Sequence, residues 1–172
     1  MNIGNCARRL VAAVPLIVAC VTGVAAEAPA QHVPVAQLVM EIICDLAPTV
    51  ALGNSPIGER RMVPIVGGSF SGPGIHGVVL AGGADRQLVR QDGFKQLSAT
   101  YELKTDDGAV ISVSNHVLAP AQRAPGQAVF SNIDLVAPEG KYGWINDNVY
   151  VGTLDSLRPA RDAVLIRIYK LQ

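Results

Sequence analysis

Asp85 and Arg86 are the residues whose types and position point most directly to chemistry. They follow the pair Gly82-Gly83 at the start of a predicted strand, where the backbone is constrained. Partial burial there would raise the pKa of Asp85, so that its carboxyl becomes a general base or a hydrogen-bond acceptor for a ligand. Under the structural alternative, Asp85 caps a turn and Arg86 is solvated.

Polar and aromatic side chains share one face of several predicted strands. In the strand predicted over residues 143–151, alternate positions carry Trp144 and Asn146, and strand periodicity places Tyr101 and Asn115 on one face of their own strands. If the sheet closes and this face points inward, it lines a small cavity with stacking surfaces and hydrogen-bond partners. If it points outward, the same residues form a solvated or rim-capping face.

Metal, cofactor and covalent chemistry are not indicated by the sequence. His32, His76 and His116 are far apart and have no His or Cys at short spacing, which argues against a zinc site. The glycine-rich run at 67–83 has neither a phosphate-loop motif nor a following helix, so it predicts glycine-bent strands at barrel corners. No GxSxG motif and no Cys/His pairing is present. We therefore predict no cofactor and no metal.

The first 26 residues have the features of a cleavable secretory signal. Two arginines precede an apolar run at 10–19, and small residues follow up to Ala26, the predicted cleavage site. A second interpretation is a lipoprotein signal, because residues 17–20 fit a lipobox that ends in Cys20 and would tether the protein to a membrane. Both interpretations predict an exported protein, either periplasmic or secreted.

Removal of this signal would leave one modest domain with almost balanced charge. The full chain has 14 basic and 14 acidic residues, and loss of the two leader arginines leaves 12 against 14. A chain without a concentrated basic patch does not predict nucleic acid as a partner. Unless Cys20 is lipidated, Cys44 is the one cysteine left, so we expect it to be a buried small hydrophobe rather than half of a disulfide. We predict a disordered segment at 27–34 and a single domain at 35–172.

The pattern of the mature chain is typical of an all-β protein. Short apolar or alternating runs are separated by glycine, proline and paired acids, at intervals that favour a barrel or sandwich. The segments TDDG at 105–108 and QDG at 91–93 predict hairpin turns, because glycine accepts the positive φ that such turns need. Residues 47–59 and 119–127 predict long loops. The predicted strands span residues 37–45, 62–70, 74–80, 86–90, 97–105, 109–116, 128–134, 143–151 and 163–170.

Seven segments occur in an order that is specific in combination. They are PIVGG at 64–68, GPG at 72–74, GGAD at 82–85, QDG at 91–93, YELKTDDG at 101–108, YGWIN at 142–146 and IY at 168–169. Together they resemble the family known as domain of unknown function 3237, also called uncharacterised protein family 0311. The resemblance implies a single antiparallel β-barrel of about eight or nine strands with a central pocket, and no generally established activity. The family pattern has tryptophan where this chain has Arg86, which replaces a stacking group by a cation.

Two functional hypotheses follow, and a structural subunit of the cell envelope is a third. The first is an exported barrel that binds a small aromatic or oxygenated molecule through Trp144, Tyr101 and Asn146. The second is a cofactor-independent acid–base enzyme, an isomerase, lyase or cyclase, with Asp85 as base and Tyr101 as acid. The predicted ligand-binding residues are Arg61, which is an anion-binding candidate, Arg86, Asn115, Trp144 and Asn146.

Overall fold

Ten β-strands account for most of the structure, a computed structural model that describes residues 31–124 and 126–172. Within this part of the chain the residues from Val33 onward form one unit, and one short 3₁₀ helix (Gly143–Asp147) interrupts the strands. The strands are β1 (Ala36–Leu46), β2 (Val50–Ser55), β3 (Gly58–Gly72), β4 (Ile75–Val79), β5 (Ala84–Arg90), β6 (Phe94–Thr105), β7 (Val110–Pro120), β8 (Phe130–Val136), β9 (Tyr150–Ser156) and β10 (Ala163–Leu171).

The sheet closes into a barrel because β3 has neighbours along both of its edges. On one edge it pairs with β2 and then with β1, and on the other edge with β5 and then with β4. Both β4 and β5 pair with β6, so they share one position around the barrel. The order then continues through β7, β8, β9 and β10 back to β1, and every pairing is antiparallel. The predicted antiparallel barrel is therefore confirmed, with eight positions and two additional strands.

One end of the barrel is filled by apolar side chains, and we call it the capped end. It lies around the turn between β6 and β7, where the short helix Gly143–Asp147 places Ile145 over the core with no exposed surface. Inward positions alternate along each strand, as the period of a strand requires. The fully buried side chains of this core include Met40, Ile42, Leu103, Ile111, Val113 and Ile168.

The predicted loop at residues 47–59 is wrong, because it contains β2 and the beginning of β3. The two strands form a hairpin in which Val50–Ser55 pairs with residues 58–62, with an irregularity between Ala51 and Gly53. Glycine in an edge strand is compatible with pairing when it lies at such a bulge. The composition of this segment therefore suggested a loop where the chain forms an irregular edge.

The strand predicted over residues 143–151 is also wrong. The Asn146 side chain accepts a hydrogen bond from the Ala137 N–H (2.9 Å) and donates one to the Ala137 carbonyl (3.0 Å). Asn148 donates to the Trp144 carbonyl at 2.7 Å. Side-chain hydrogen bonds of this kind compete with a strand ladder, so the segment turns and β9 begins only at Tyr150.

Both predicted hairpin turns are confirmed. Gly108 has φ of +93° between β6 and β7, and Gly93 has φ of +83° between β5 and β6. Within the described residues, no helix is long and apolar enough to span a membrane. The predicted signal at 1–26, with Ala26 and Cys20, lies outside the described residues, as do residues 27–30 of the segment at 27–34.

Candidate functional site

A cavity of about 310 Å³ lies inside the barrel at the end opposite the cap, and we call this the cavity end. It is surrounded by inward positions of β1, β3, β5, β6, β7, β9 and β10. Apolar side chains form most of the wall, including Leu97, Val117, Leu154 and Ile166. The polar residues that line it are Thr49, Arg61, Asp85, Gln87, Lys95, Tyr101, Asn115, Ser156 and Arg158, together with the Cys44 thiol.

The register of three strands brings the central polar residues together. Asp85 on β5 and Asn115 on β7 are both paired with Ala99 on β6, one from each side. Tyr101 lies two positions further along β6 and points to the same face as Ala99. Diagonal neighbours in a sheet are about 7–8 Å apart. The small Ala99 side chain leaves the space that these three polar groups border.

Tyr101 is fully buried, and its hydroxyl has no hydrogen-bond partner. Burial is the main reason that its pKa is raised, and the neighbouring Cys44 thiol raises the pKa further. Gly83 lies against this residue, because a Cβ at Gly83 would be 2.5 Å from the Tyr101 Cβ. A glycine is therefore needed beside the Cβ and Cα of Tyr101.

Cys44 is a free, buried thiol on the wall of the cavity. Burial raises the pKa of the Cys44 thiol to about 12, although the neighbouring Tyr101 side chain partly opposes this shift. The thiolate is the nucleophilic form of cysteine. Cys44 is therefore a buried residue of the cavity wall, as the sequence predicts, and its burial disfavours the thiolate.

Asp85 is the one carboxylate among the residues that line the cavity. Its Oδ2 accepts a hydrogen bond from Gln87 at 2.5 Å, while its buried Oδ1 has no partner. Burial raises the pKa of Asp85, although the Gln87 hydrogen bond and the charge of Lys95 oppose that shift. A carboxyl with this environment can accept a proton or a hydrogen bond from a bound molecule.

Asn115 completes the set of unpartnered groups. Its side chain is 2% exposed, and its Oδ1 has no hydrogen-bond partner. A buried polar group without a partner costs about 1–3 kcal/mol, and native proteins contain few of them. Three of the four such atoms among the described residues belong to Asp85, Tyr101 and Asn115, and all three residues line the same cavity.

Arg61 and Lys95 are two of the three cationic side chains that line the cavity. The Arg61 guanidinium is paired with both carboxylate oxygens of Glu59, at 2.7 and 2.8 Å. Lys95 was not among the predicted site residues, because the predicted strand begins at residue 97 and β6 begins at Phe94. The period of two along β6 would have placed Lys95 on the face of Ala99 and Tyr101 if the strand had been extended.

The remaining predicted ligand contacts are not at the cavity. Arg86 follows Asp85 in the strand and therefore points to the outer face, where its Nη1 lies 3.4 Å from the Met62 sulfur. Trp144 is 40% exposed on the short helix at the capped end. Asn146 uses its amide to bind the backbone of Ala137. The expected shared face of Trp144, Asn146 and Tyr101 is therefore wrong.

Within residues 31–124 and 126–172, no group of three or more His, Cys, Asp or Glu could hold a metal ion. The cavity instead offers a hydroxyl, a carboxyl and an amide oxygen in an apolar enclosure. Such groups can orient a small polar molecule, and a carboxyl beside a hydroxyl can also exchange protons with it.

Comparison with known proteins agrees with this architecture. A UPF0311 protein of Clostridium acetobutylicum is 33% identical over 129 residues, which cover 67% of this chain and 79% of the relative. The crystal structure of a conserved protein of unknown function from Rhodopseudomonas palustris has a TM-score of 0.74 and 28% identity, over 83% of this chain and 100% of the other. A β-barrel-like protein from Acinetobacter baumannii has a TM-score of 0.73 and 28% identity, over 84% and 100%.

The family itself is defined by a sequence model that covers almost the whole barrel. The model described as "Protein of unknown function (DUF3237)" matches residues 34–171, from just before β1 to the end of β10. This match and the Clostridium relative confirm the resemblance carried by the seven sequence segments. The chain therefore belongs to the DUF3237 family of β-barrel proteins of unknown function, whose members include those named UPF0311.

Proposed function

We propose that this protein binds a small hydroxylated molecule in the barrel cavity. The observation that carries the proposal is the convergence of three buried, unpartnered polar atoms, Asp85 Oδ1, Tyr101 OH and Asn115 Oδ1, on one cavity. Leaving these groups unpaired costs stability. A ligand that pairs with them recovers that free energy on binding, which is a source of both affinity and orientation.

Two of the three atoms define the hydrogen bonding of a ligand hydroxyl. Asn115 Oδ1 accepts a hydrogen bond, Tyr101 OH can donate one, and a ligand hydroxyl can satisfy both because it donates and accepts. The surrounding Leu97, Val117 and Ile166 favour an apolar body around that hydroxyl. The volume of about 310 Å³ is near the lower end of small-molecule pockets, which favours a compact aromatic or aliphatic alcohol.

Ligand screening by heteronuclear NMR tests this proposal. Hydroxylated aromatic and aliphatic compounds are added to isotopically labelled protein, and the backbone amide shifts of Ala99 and Asn115 are followed. The control is the Ala99→Leu variant, which fills the space between Asp85 and Asn115. We expect binding compounds to shift both amides in the wild type and to lose that effect in the variant. Shifts that persist in a folded Ala99→Leu variant, or an absence of shifts across the panel, would contradict the proposal.

A second candidate function is acid–base catalysis without a cofactor, as an isomerase, lyase or cyclase. It is favoured by the raised pKa of Asp85 and by the position of Tyr101 on the same inward face, diagonally across the β5–β6 pair. In this scheme Asp85 takes a proton from the substrate, and Tyr101 donates to the oxygen on which charge develops.

Deuterium exchange distinguishes catalysis from binding alone. A bound compound incubated in D₂O would exchange an activated C–H in the presence of wild-type protein, and the Asp85→Asn variant would bind the compound without exchange. Mass spectrometry of the recovered compound gives the readout. Binding without exchange or turnover in the wild type would leave the protein a binding protein and contradict the enzyme hypothesis.

We also propose that the protein is exported, on the strength of the signal predicted at residues 1–26. Intact-mass analysis of protein produced from the full-length chain in a bacterial host tests it. We expect a mature chain that begins at Glu27, or one that begins at a lipid-modified Cys20 and is tethered to a membrane. A mature protein that keeps residues 1–26 would overturn the proposal.

A further inference from the structure

Lys95 is placed where it can meet a ligand at the surface of the cavity. It lies near the start of β6, on the same face as Leu97, Ala99 and Tyr101, and it pairs with Val89 of β5 and Ala119 of β7. The side chain is only partly exposed. None of the ion pairs and side-chain hydrogen bonds within the described residues involves its ammonium group, although partly buried cations are usually paired.

The charges around Lys95 leave an excess of positive charge. Among the cavity-lining residues, Arg61, Lys95 and Arg158 are cationic and Asp85 is the one carboxylate. Arg61 and Arg158 have acidic partners of their own outside that lining, at 2.7 Å to Glu59 and 2.9 Å to Asp162. Burial lowers the pKa of Lys95, and the positive charges of Arg61 and Arg123 lower it further. The negative charge of Asp85 acts in the opposite direction.

We infer that the ligand is a hydroxylated acid, with a carboxylate that binds the Lys95 ammonium and a hydroxyl that reaches Tyr101 and Asn115. This inference rests on the proposed binding function and adds the substrate class. The sequence predicts Arg61 as an anion-binding residue, but the Arg61 guanidinium already donates hydrogen bonds to the Glu59 carboxylate. Lys95 is the cation that remains for a ligand carboxylate.

The positions of Lys95 and Tyr101 along β6 favour an elongated molecule. Lys95 and Tyr101 are six residues apart on one strand, or about 20 Å between their Cα atoms at 3.3 Å per residue. Both side chains are long and both border the same cavity, so the ligand spans only the gap between the ammonium and the phenol. An aryl acid with a short side chain, such as 4-hydroxycinnamate, has its two polar groups at opposite ends and suits that arrangement.

Paired probes test the inference. 4-Hydroxybenzoate, 3-(4-hydroxyphenyl)propanoate and 4-hydroxycinnamate are each compared with the corresponding primary amide, by NMR titration at the amides of Lys95, Ala99 and Asn115. We expect at least one acid to bind about tenfold or more tightly than its amide, since hydrogen bonds to charged groups are the stronger ones. The preference should shrink as salt is raised from about 0.05 to 0.5 M.

Two variants locate the preference. Lys95→Met should abolish the acid-over-amide preference, because the loss of affinity should be much larger for the acid than for the amide. Lys104→Met is the matched control, because Lys104 is an exposed outward residue of the same strand near the capped end, and it should keep the preference. Amide spectra of both variants show that the barrel is folded.

Each outcome has a defined meaning. Acids and amides that bind equally, or a preference that survives Lys95→Met, would overturn the inference about the carboxylate and leave the proposed binding function intact. Probes that shift no cavity amide would count against both. A preference that is confined to protein with Lys95 supports the assignment of a hydroxylated acid.

Discussion

The two ends of the barrel treat their polar groups in opposite ways. At the capped end, the Asp107 carboxylate pairs with Lys141 at 2.6 Å and accepts hydrogen bonds from Thr105 Oγ1 at 2.5 Å and from the Tyr142 hydroxyl at 3.0 and 3.1 Å. At the cavity end, the Tyr101 hydroxyl has no partner, and the Asp85 carboxyl has one oxygen without a partner. A tyrosine and an aspartate therefore occur in both places, paired with each other in one and facing a cavity in the other.

This difference separates stability from function within a single sheet. Both ends follow the same alternation of inward and outward residues, and β6 and β7 run through both. At the capped end, Lys141 and Tyr142 bind the Asp107 carboxylate and so connect the segment before the short helix to the turn between β6 and β7. At the cavity end equivalent groups are kept unsatisfied, which is costly unless a bound molecule completes them.

The largest expected effect is on the free energy of unfolding, through the packing of the core. Leu103 and Leu97 lie on the same face of β6, but Leu103 is fully buried at the capped end and Leu97 lines the cavity. Leu103→Ala should lower the free energy of unfolding by about 2–5 kcal/mol, and Leu97→Ala by clearly less because its site already adjoins open space. Urea denaturation measures both. Equal losses would show that the cavity end is packed like the cap.

The next largest effects are expected from removal of the hydroxyl of Tyr101 or of Tyr142. Tyr101→Phe should weaken binding of a hydroxylated probe by about tenfold and leave stability unchanged or slightly higher, because it removes an unpaired hydroxyl. Tyr142→Phe should lower the free energy of unfolding by about 1 kcal/mol and leave probe binding unchanged. Calorimetric titration and denaturation are run on both variants. The reverse pattern would contradict the division of roles between the two ends.

The two aspartates should give opposite pH dependence of stability. Pairing with Lys141, together with hydrogen bonds from Thr105 and Tyr142, holds the pKa of Asp107 well below its usual value, so its stabilisation is present above about pH 4 and is lost as the pH falls. Burial raises the pKa of Asp85 above its unfolded value. Its carboxyl therefore destabilises the fold as the pH rises above about 4.

Substitution by asparagine isolates each contribution. At pH 7, Asp85→Asn should raise the free energy of unfolding and Asp107→Asn should lower it. The Asp85 difference should shrink as the pH falls to about 4, whereas the Asp107 difference should shrink only below about pH 4. Thermal denaturation across this pH range gives the measurement. Two variants that shift stability in the same direction at pH 7 would show that the Asp85 carboxyl is satisfied by the protein itself.

The smallest expected effect is at Trp144. Its side chain is 40% exposed at the capped end, so Trp144→Phe should change the affinity for any cavity probe by less than about twofold, within the range of neutral surface changes. Calorimetric titration measures the affinity of the variant. A large loss of binding would place the ligand at the capped end instead of in the cavity.

Much of the site was predictable because strand periodicity is a simple rule. Alternation along β6 and β7 placed Tyr101 and Asn115 each on one face of its strand, and of the two orientations left open for that face the structure has the inward one. The register that aligns Asp85 and Asn115 with Ala99 was not predictable, since it depends on pairing between strands that are distant in sequence.

The failures have equally specific causes. Trp144 and Asn146 alternate as strand residues do, but the amide of Asn146 binds the backbone of Ala137 and stops the strand. Arg86 was grouped with its neighbour Asp85, although successive residues of a strand face opposite sides. Lys95 was missed because strand ends are set by pairing partners, here Val89 and Ala119, and not by local composition.

A map of amide chemical-shift changes tests the central claim most directly. The claim is that the unpaired groups at the cavity end exist to bind a ligand. When a hydroxylated probe binds, the largest shifts should occur at Ala99, Tyr101 and Asn115, with none at Asp107 or Trp144. A map centred on the capped end, or one that is unchanged in a folded Ala99→Leu variant, would contradict the claim.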